Sequence, residues 1–365
     1  MNSVDTKPMI PQAEYAKKLR EFLPSEAFLP DSSKVWILLI NLLILVSGWV
    51  IATDLNQWSV YFLWLYLPLA LLMGNSVIVL LFSSHDLLHG SVIRNARTAH
   101  FLSLLGLTLL WMPPTLWKTL HNRVHHNKTN SIDDPDRNYL FQQPRTWEKW
   151  IQHCFAPSDE VSTIGLTLGM ATAWGIYAFR NLVSVLLFNS SSVNFVPAAF
   201  QVNRKTRRTI AIELLIIGGI HLGILAYLQF QPLKLILAYF LPIGIGYAGI
   251  IFYVYTNHMF RQMTSVNDPL LNSVSLRVPK IFDLLHLNFS YHAEHHIFPG
   301  INSDYYPFVQ DLIKTHYPDR TYILSAGEAW YLLLNTPRHY KDEMTLTDWS
   351  GERSISCPVL HPNSK

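Results

Sequence analysis

Residues 60–89 read VYFLWLYLPLALLMGNSVIVLLFSSHDLLH. From Val60 to Phe82 the run is apolar and long enough to cross a hydrocarbon core, which takes about 20 helical residues for about 30 Å. It ends on His85 and His89, four residues apart and therefore on one face of a helix. A spanning helix that delivers two imidazoles to a membrane surface decides the fold class: an all-α integral membrane protein. The rest of the chain repeats this arrangement.

Working outward, Val35 to Ala52 is a second full-length apolar run. A short polar break (Thr53, Asp54, Asn56, Gln57) joins it to the first, so the two form a helical hairpin. Ile210 to Phe230 and Leu233 to Tyr255 form a second hairpin around Gln231-Pro232, and its second helix delivers Asn257 and His258. Half of the residues are hydrophobic and 15% are charged, against about 25% charged for soluble domains. The net charge of +3 is too small to argue for nucleic acid. The two cysteines, Cys154 and Cys357, form no CxxC pattern and imply neither a disulfide framework nor a zinc ribbon. The N-terminus is polar, without the apolar core of a cleavable signal peptide, so the first span does the targeting.

Two further apolar stretches are ambiguous. Phe101 to Met112 is about half a span and ends at Pro113-Pro114, which favours an in-plane or re-entrant segment. Ile164 to Phe188 is long enough to cross but carries Arg180 and Asn181, and is read as a surface-lying or partly buried helix. Lys and Arg test this topology. Lys7, Lys17, Lys18, Arg20 and Lys34 precede Val35. Arg94, Arg97, Lys118, Arg123, Lys128, Arg137, Arg145 and Lys149 follow the first hairpin, and Arg204, Lys205, Arg207 and Arg208 precede the second. The hairpin turns hold only Lys234. By the positive-inside rule, about four transmembrane helices in two hairpins leave both termini cytoplasmic. The expected organisation is a cytoplasmic N-terminal segment (1–34), a membrane domain (35–310) with a cytoplasmic helical cap, and a cytoplasmic C-terminal tail (311–365).

Eight of the sixteen histidines fall in three windows on that side: His85-Asp-Leu-Leu-His89, His121-Asn-Arg-Val-His125-His126 and His292-Ala-Glu-His295-His296. If helical, each presents two or three ring nitrogens toward one point. Imidazole suits iron, zinc, copper and nickel. Eight ligands exceed what one ion takes, so two metal ions are the natural count. There is no HExxH or HxxEH, which excludes the zinc protease patterns, and no GxSxG or phosphate-binding loop. The mostly imidazole set differs from the carboxylate-rich sites of soluble di-iron bundles. A His-rich surface for solubility or pH sensing leaves the spacing unexplained. A metal transporter would place its ligands at mid-membrane, whereas these lie outside the spans.

The windows resemble the three histidine boxes of the membrane fatty acid desaturase superfamily, which also contains carotenoid ketolases and hydroxylases. The flanks match too. Thr129-Asn130 and Asp133-Asp134-Pro135-Asp136 follow the second window, and Asn288, Tyr291, Phe298 and Pro299 frame the third. The resemblance spans about residues 35–310. It implies a di-iron centre (two Fe2+) that uses O2 to attack an unactivated C–H bond. Carried over, His85, His89, His121, His125, His126, His292, His295 and His296 become the ligands, and His258 resembles an additional ligand of some members. It further implies a fatty acyl or other lipid substrate and an electron donor of the ferredoxin or cytochrome b5 type. The chain has no HPGG-type haem segment and no flavin or Rossmann fingerprint, so that donor is a separate protein.

Asp86, Glu294, Asp133, Asp134 and Asp136 are candidates to orient the ring nitrogens that do not face metal. Asn257 and Asn288 are candidates to hold a metal-bound water. Trp111, Trp117, Phe82, Tyr255 and Phe260 are candidate walls of a substrate channel. His221 stands alone within a span and reads as a neutral histidine between helices. His100, His153, His286, His316, His339 and His361 have no partner spacing. The leading reading is desaturation of a fatty acyl chain. The same centre could instead hydroxylate or ketolate a lipid or carotenoid, or decarboxylate a fatty acid to a terminal alkene. The 36 residues from His85 to His121 argue against the sterol and fatty acid hydroxylases, whose first boxes lie closer.

Overall fold

The structure is a computed structural model that describes residues 8–131, 133–134, 162–189, 200–258, 260–337, 339–348 and 350–358. It is mostly helical. Helix α1 is Gln12–Arg20. Among the described residues five helices are long and apolar enough to cross a membrane: α2 within Ser32–Gln57, α3 within Val60–His89, α6 at Thr163–Phe188, α7 at Arg204–Tyr227 and α8 at Pro232–His258. Between α3 and α6 lie α4 (Ala96–Leu110) and α5 (Pro114–Lys128), bent against each other by 95°. After α8 come the short helices α9 (Pro269–Asn272), α10 (Lys280–Leu285) and α11 (His292–Ile297), then α12 (Tyr306–His316) and α13 (Ala326–Asn335). Strands β1 (Ser275–Arg277) and β2 (Ile323–Ser325) pair in parallel, and β3 (His339–Tyr340), β4 (Thr345–Thr347) and β5 (Ser354–Ser356) form an antiparallel meander.

The expectation counted four spans and read 164–188 as a surface-lying or partly buried helix. The structure gives five candidates, and α6 packs lengthwise against α8. Ala171 sits on Gly244 and Gly175 on Tyr247, so the two helices run in the same direction. Arg180 and Asn181 lie in the last third of α6. The Asn181 amide turns back to its own helix at the Tyr177 carbonyl, 3.0 Å away. Polar residues near a helix end therefore masked a helix that belongs to the bundle. At the centre, α3 and α8 touch through glycine. A Cβ on Gly74 would stand 2.5 Å from the Ile245 side chain, and one on Gly246 would stand 2.5 Å from Val77. Small residues of this kind let two apolar helices approach closely.

The bend between α4 and α5 is compatible with the expected re-entrant element and equally with a broken span. It ends α4 inside the apolar bundle, where unpartnered carbonyls are costly. Three consecutive carbonyls there are each met by a side chain from a different long helix. His221 Nε2 of α7 donates to Thr108 O at 2.9 Å, Tyr247 OH of α8 to Leu109 O at 2.9 Å, and Trp174 Nε1 of α6 to Leu110 O at 2.9 Å. Because His221 Nε2 carries the proton, its Nδ1 accepts from Tyr239 OH at 2.6 Å. Trp111, left-handed at φ 52°, stacks on the His221 ring. The lone intramembrane histidine is thus a neutral helix-end cap.

A second apolar core lies apart from the bundle. Tyr15, Leu19 and Leu23 of the N-terminal segment pack with Ala293, Ile297, Phe298, Val309 and Ile313. Asp268 binds this segment down, accepting from Ile10 N at 2.7 Å, Tyr15 OH at 3.0 Å and Arg320 Nη1 at 3.0 Å. Replacing His221 with Leu is expected to lower stability by about 1–3 kcal/mol by orphaning Thr108 O. His221→Gln, which can still donate, should lose less. Thermal unfolding of both variants in detergent reads the difference.

Candidate metal centre

The nine histidines converge into two groups. His85, His89, His121, His126 and His295 form one, and His125, His258, His292 and His296 the other. Within each, one nitrogen per ring lies within 4.8 Å of all the others. The rings face one another through Nε2. His85 and His295 are 3.1 Å apart, His126 and His295 3.1 Å, and His121 and His126 3.2 Å. In the second group His258 and His292 are 2.8 Å apart, and His292 and His296 3.1 Å. His89 Nε2 is buried without a hydrogen-bond partner.

The local backbone divides the windows between the groups. Spacing alone placed His121 and His125 on one face of an α-helix. Residues Lys118–His125 instead form a π-helical turn, whose wider i to i+5 repeat brings His121 beside His126 and sends His125 to the second group. The third window is α-helical and straddles both: His292 and His296, one turn apart, enter the second group, while His295 enters the first. The expectation that each window points at a single spot is corrected for these two.

The outer nitrogens fix the rings. His85 Nδ1 meets Asp86 Oδ1 at 3.1 Å, and His125 Nδ1 meets Asp134 Oδ1 at 3.0 Å. His258 Nδ1 donates to the Asn272 carbonyl at 3.0 Å, His295 Nδ1 meets Tyr306 OH at 3.0 Å, and His296 Nδ1 meets Thr129 Oγ1 at 3.3 Å. A proton held on Nδ1 leaves Nε2 as a bare lone pair directed inward. Burial, and then repulsion from neighbouring rings, holds His292, His295 and His296 well below the ordinary histidine pKa. Burial pushes Asp134 upward, but the facing His125 and the Asn130 N–H outweigh it and keep the carboxyl below its usual range. Neutral rings with inward lone pairs are what a metal cation requires.

Asp86 and Asp134 thus sit where the sequence reading put them. Glu294 does not touch a ring. It is buried, with its pKa raised by that burial, and accepts from Ser275 Oγ and Gln310 Nε2, so it anchors α11 to β1 and α12. Asp133 pairs with Lys128 at the surface, and Asp136 lies outside the described residues. Asn288 donates to the Ser303 carbonyl at 3.1 Å rather than facing the centre. Asn257 is fully buried beside His258, and both its amide atoms lack partners. Among the remaining described histidines none joins a group. His100 pairs with Glu213, His286 bridges Tyr253 and Asn75, and His316 lies against Phe22. His339 is buried in β3, and His153 and His361 lie outside the described residues.

An apolar cavity opens onto the rings. Leu81, Phe82, Trp117, Trp174, Ile251 and Phe289 line it, and it ends on His85, His121, His125, His258 and His292, members of both groups. Phe82 and Trp117 were foreseen as walls. Trp111, Tyr255 and Phe260 are not among its lining residues. A family model, fatty acid desaturase, matches residues 58–326. The chain belongs to the fatty acid desaturase family. Comparison with curated proteins found no match. The matched region of this desaturase-family chain holds all nine histidines and the whole cavity wall. It leaves out α1, α2 and residues 327–365.

Sequence reasoning missed the ring partners Tyr306, Thr129 and the Asn272 carbonyl. Thr129 had a readable signal, since it belongs to the Thr129-Asn130 flank of the second window, just past the end of α5. Tyr306 had none, because its contact depends on how α12 folds back. Replacing Asp134 with Ala is expected to weaken metal retention in the second group about 10- to 100-fold and spare the first. Tyr306→Phe should act on the first group alone, more weakly. Chelator competition followed by metal counting checks both.

Proposed function

We propose that the protein is a membrane di-iron oxidoreductase that uses O2 to desaturate a fatty acyl chain. One observation carries the reading: an apolar cavity ends on imidazoles of both groups, so a saturated hydrocarbon held there lies against both candidate metal positions. Five imidazoles in one group exceed the four ligands of tetrahedral zinc. The five-membered group therefore suits a metal of higher coordination number, such as iron.

When bound, the iron pair supplies O2 activation and removal of hydrogen from the chain. The protein's own residues do the rest. Phe82, Trp117, Trp174 and Phe289 hold the hydrocarbon and keep water out. Asp86, Asp134 and Tyr306 hold the ring tautomers. The Asn257 amide offers a donor and an acceptor to a small polar molecule beside His258. The reaction takes one hydrogen from each of two neighbouring carbons, and O2 leaves as two waters once two electrons from a separate donor protein of the ferredoxin or cytochrome b5 type and two protons from solvent are added. With α2, α3, α7 and α8 as the spans, the charge pattern supports a multi-pass topology with the termini and histidines cytoplasmic, and the basic face there suits an acidic donor.

Expression in a host of known lipid composition, followed by mass spectrometry of its acyl chains, tests the proposal. New double bonds are expected, and His125→Ala should abolish them. Unchanged acyl chains together with altered pigments or released alkenes would overturn desaturation. A purified protein with fewer than about two irons per chain would overturn the di-iron centre.

A further inference from the structure

The outward face of α3 changes character part-way along the helix. Pro68, Leu71, Leu72 and Asn75 share that face by helical spacing, and Leu71 and Leu72 are 59% and 47% exposed. One and two turns later the same face carries Val79 and Phe82, which are buried. The cover is the chain that follows β1. His286 Nε2 meets Asn75 Oδ1 at 3.0 Å, and Phe289 stacks on Phe82 with ring centroids 3.9 Å apart. Asn75 precedes His85 by ten residues, about 15 Å along the helix and away from the metal centre. Residues 278–289 therefore descend beside α3 and climb back to His292 without crossing the bundle.

At the foot of this loop α10 has no buried residue. Ile281, Phe282, Leu284 and Leu285 are 55%, 43%, 74% and 39% exposed. So dense an apolar surface is unfavourable against water, and it continues the exposed apolar face of α3 at the level where that face is covered over. Lys280 stands at the start of α10, where a long basic side chain can reach a polar interface.

We propose that residues 278–289 form a non-spanning loop immersed among bilayer acyl chains, with Ile281, Phe282, Leu284 and Leu285 in lipid. Phe289, which lines the metal-facing cavity, is then the partition between that lipid and the cavity. The proposal rests on the membrane reading above and adds a surface to it: on this side a short loop, rather than a span, walls the cavity off from the leaflet.

The test uses the full chain in phosphatidylcholine vesicles, with Cys154→Ser and Cys357→Ala as background. A nitroxide is attached at Leu284→Cys and, independently, at Ile281→Cys. Its collision with O2 and with a water-soluble nickel chelate is read by electron paramagnetic resonance. Leu72→Cys is the lipid reference. Asp311→Cys, whose native side chain is 72% exposed, is the aqueous one. Both loop positions are expected to match Leu72→Cys, with high O2 and low nickel collision. Nickel collision at the level of Asp311→Cys would overturn the proposal and leave that face to a protein partner. If Leu72→Cys itself reads as aqueous, the membrane reading falls and the loop proposal with it. Neither readout depends on whether the enzyme desaturates anything.

Discussion

Imidazole nitrogens with inward lone pairs, packed 2.8–3.2 Å apart in a buried interior, repel one another. Protons could reconcile them in water, but burial disfavours the charged ring. A cation in each group would be the other solution, and the contacts around the rings are compatible with it. Each outer nitrogen that meets a carboxylate, a carbonyl or a hydroxyl fixes a tautomer, and each tautomer fixes where a lone pair points. Asp86 and Asp134 do this with charge, the Asn272 carbonyl with backbone, and Tyr306 with a phenol held neutral by burial.

Bringing the second window into this cluster sets the shape of the bundle. Helix α5 ends at the histidines, so it has to begin inside the bundle, and α4 has to end there. That leaves orphan groups at both helix ends in an apolar interior. Thr108, Leu109 and Leu110 offer carbonyls, met by His221, Tyr247 and Trp174. The start of α5 offers N–H groups, and the buried Glu213 of α7 accepts from Thr115 N at 3.0 Å and Thr115 Oγ1 at 2.5 Å. A carboxylate at a helix start is favoured by the helix dipole as well as by the hydrogen bond. Each of the long helices α6, α7 and α8 thus gives a polar side chain to the same bent element. Polar residues inside apolar runs, which look like interruptions in sequence, are here its supports.

The apolar runs, the break at Pro113-Pro114 and the histidine windows were legible because each is a local pattern. The family followed from the windows and their flanks. The division of the windows was not legible, since a π-turn at Lys118–His125 differs from an α-helix by one residue of register, and no spacing rule announces it. Arg180 and Asn181 misled the reading of α6 because composition does not say which end of a helix faces polar surroundings. Glu294 was assigned to the rings by its place in the motif. The structure turns it away from the rings into a buried site, where Ser275 and Gln310 donate to it. Contacts such as Tyr306 on His295 join distant segments, and a sequence without its fold does not contain them.

The family match begins at residue 58, yet the matched region does not close the third window unaided. Ala293 and Ile297 share α11 with three of the histidines and present apolar side chains on its far side. Left uncovered, that side would admit water within one helix diameter of the rings. Tyr15, Leu19 and Leu23 cover it, and the Gln12 amide caps the helix end at the Ile297 carbonyl, 2.7 Å away. Lys34, buried at the start of α2, reaches Ser303 Oγ at 2.7 Å, and Ser303 in turn donates to Asp86 Oδ2 at 3.1 Å, so a residue outside the match stands two bonds from a ring partner. Dryness and ring orientation at the centre therefore depend on a segment that carries none of the motif. Where a relative lacks this segment, the same physical argument requires another element to cover α11.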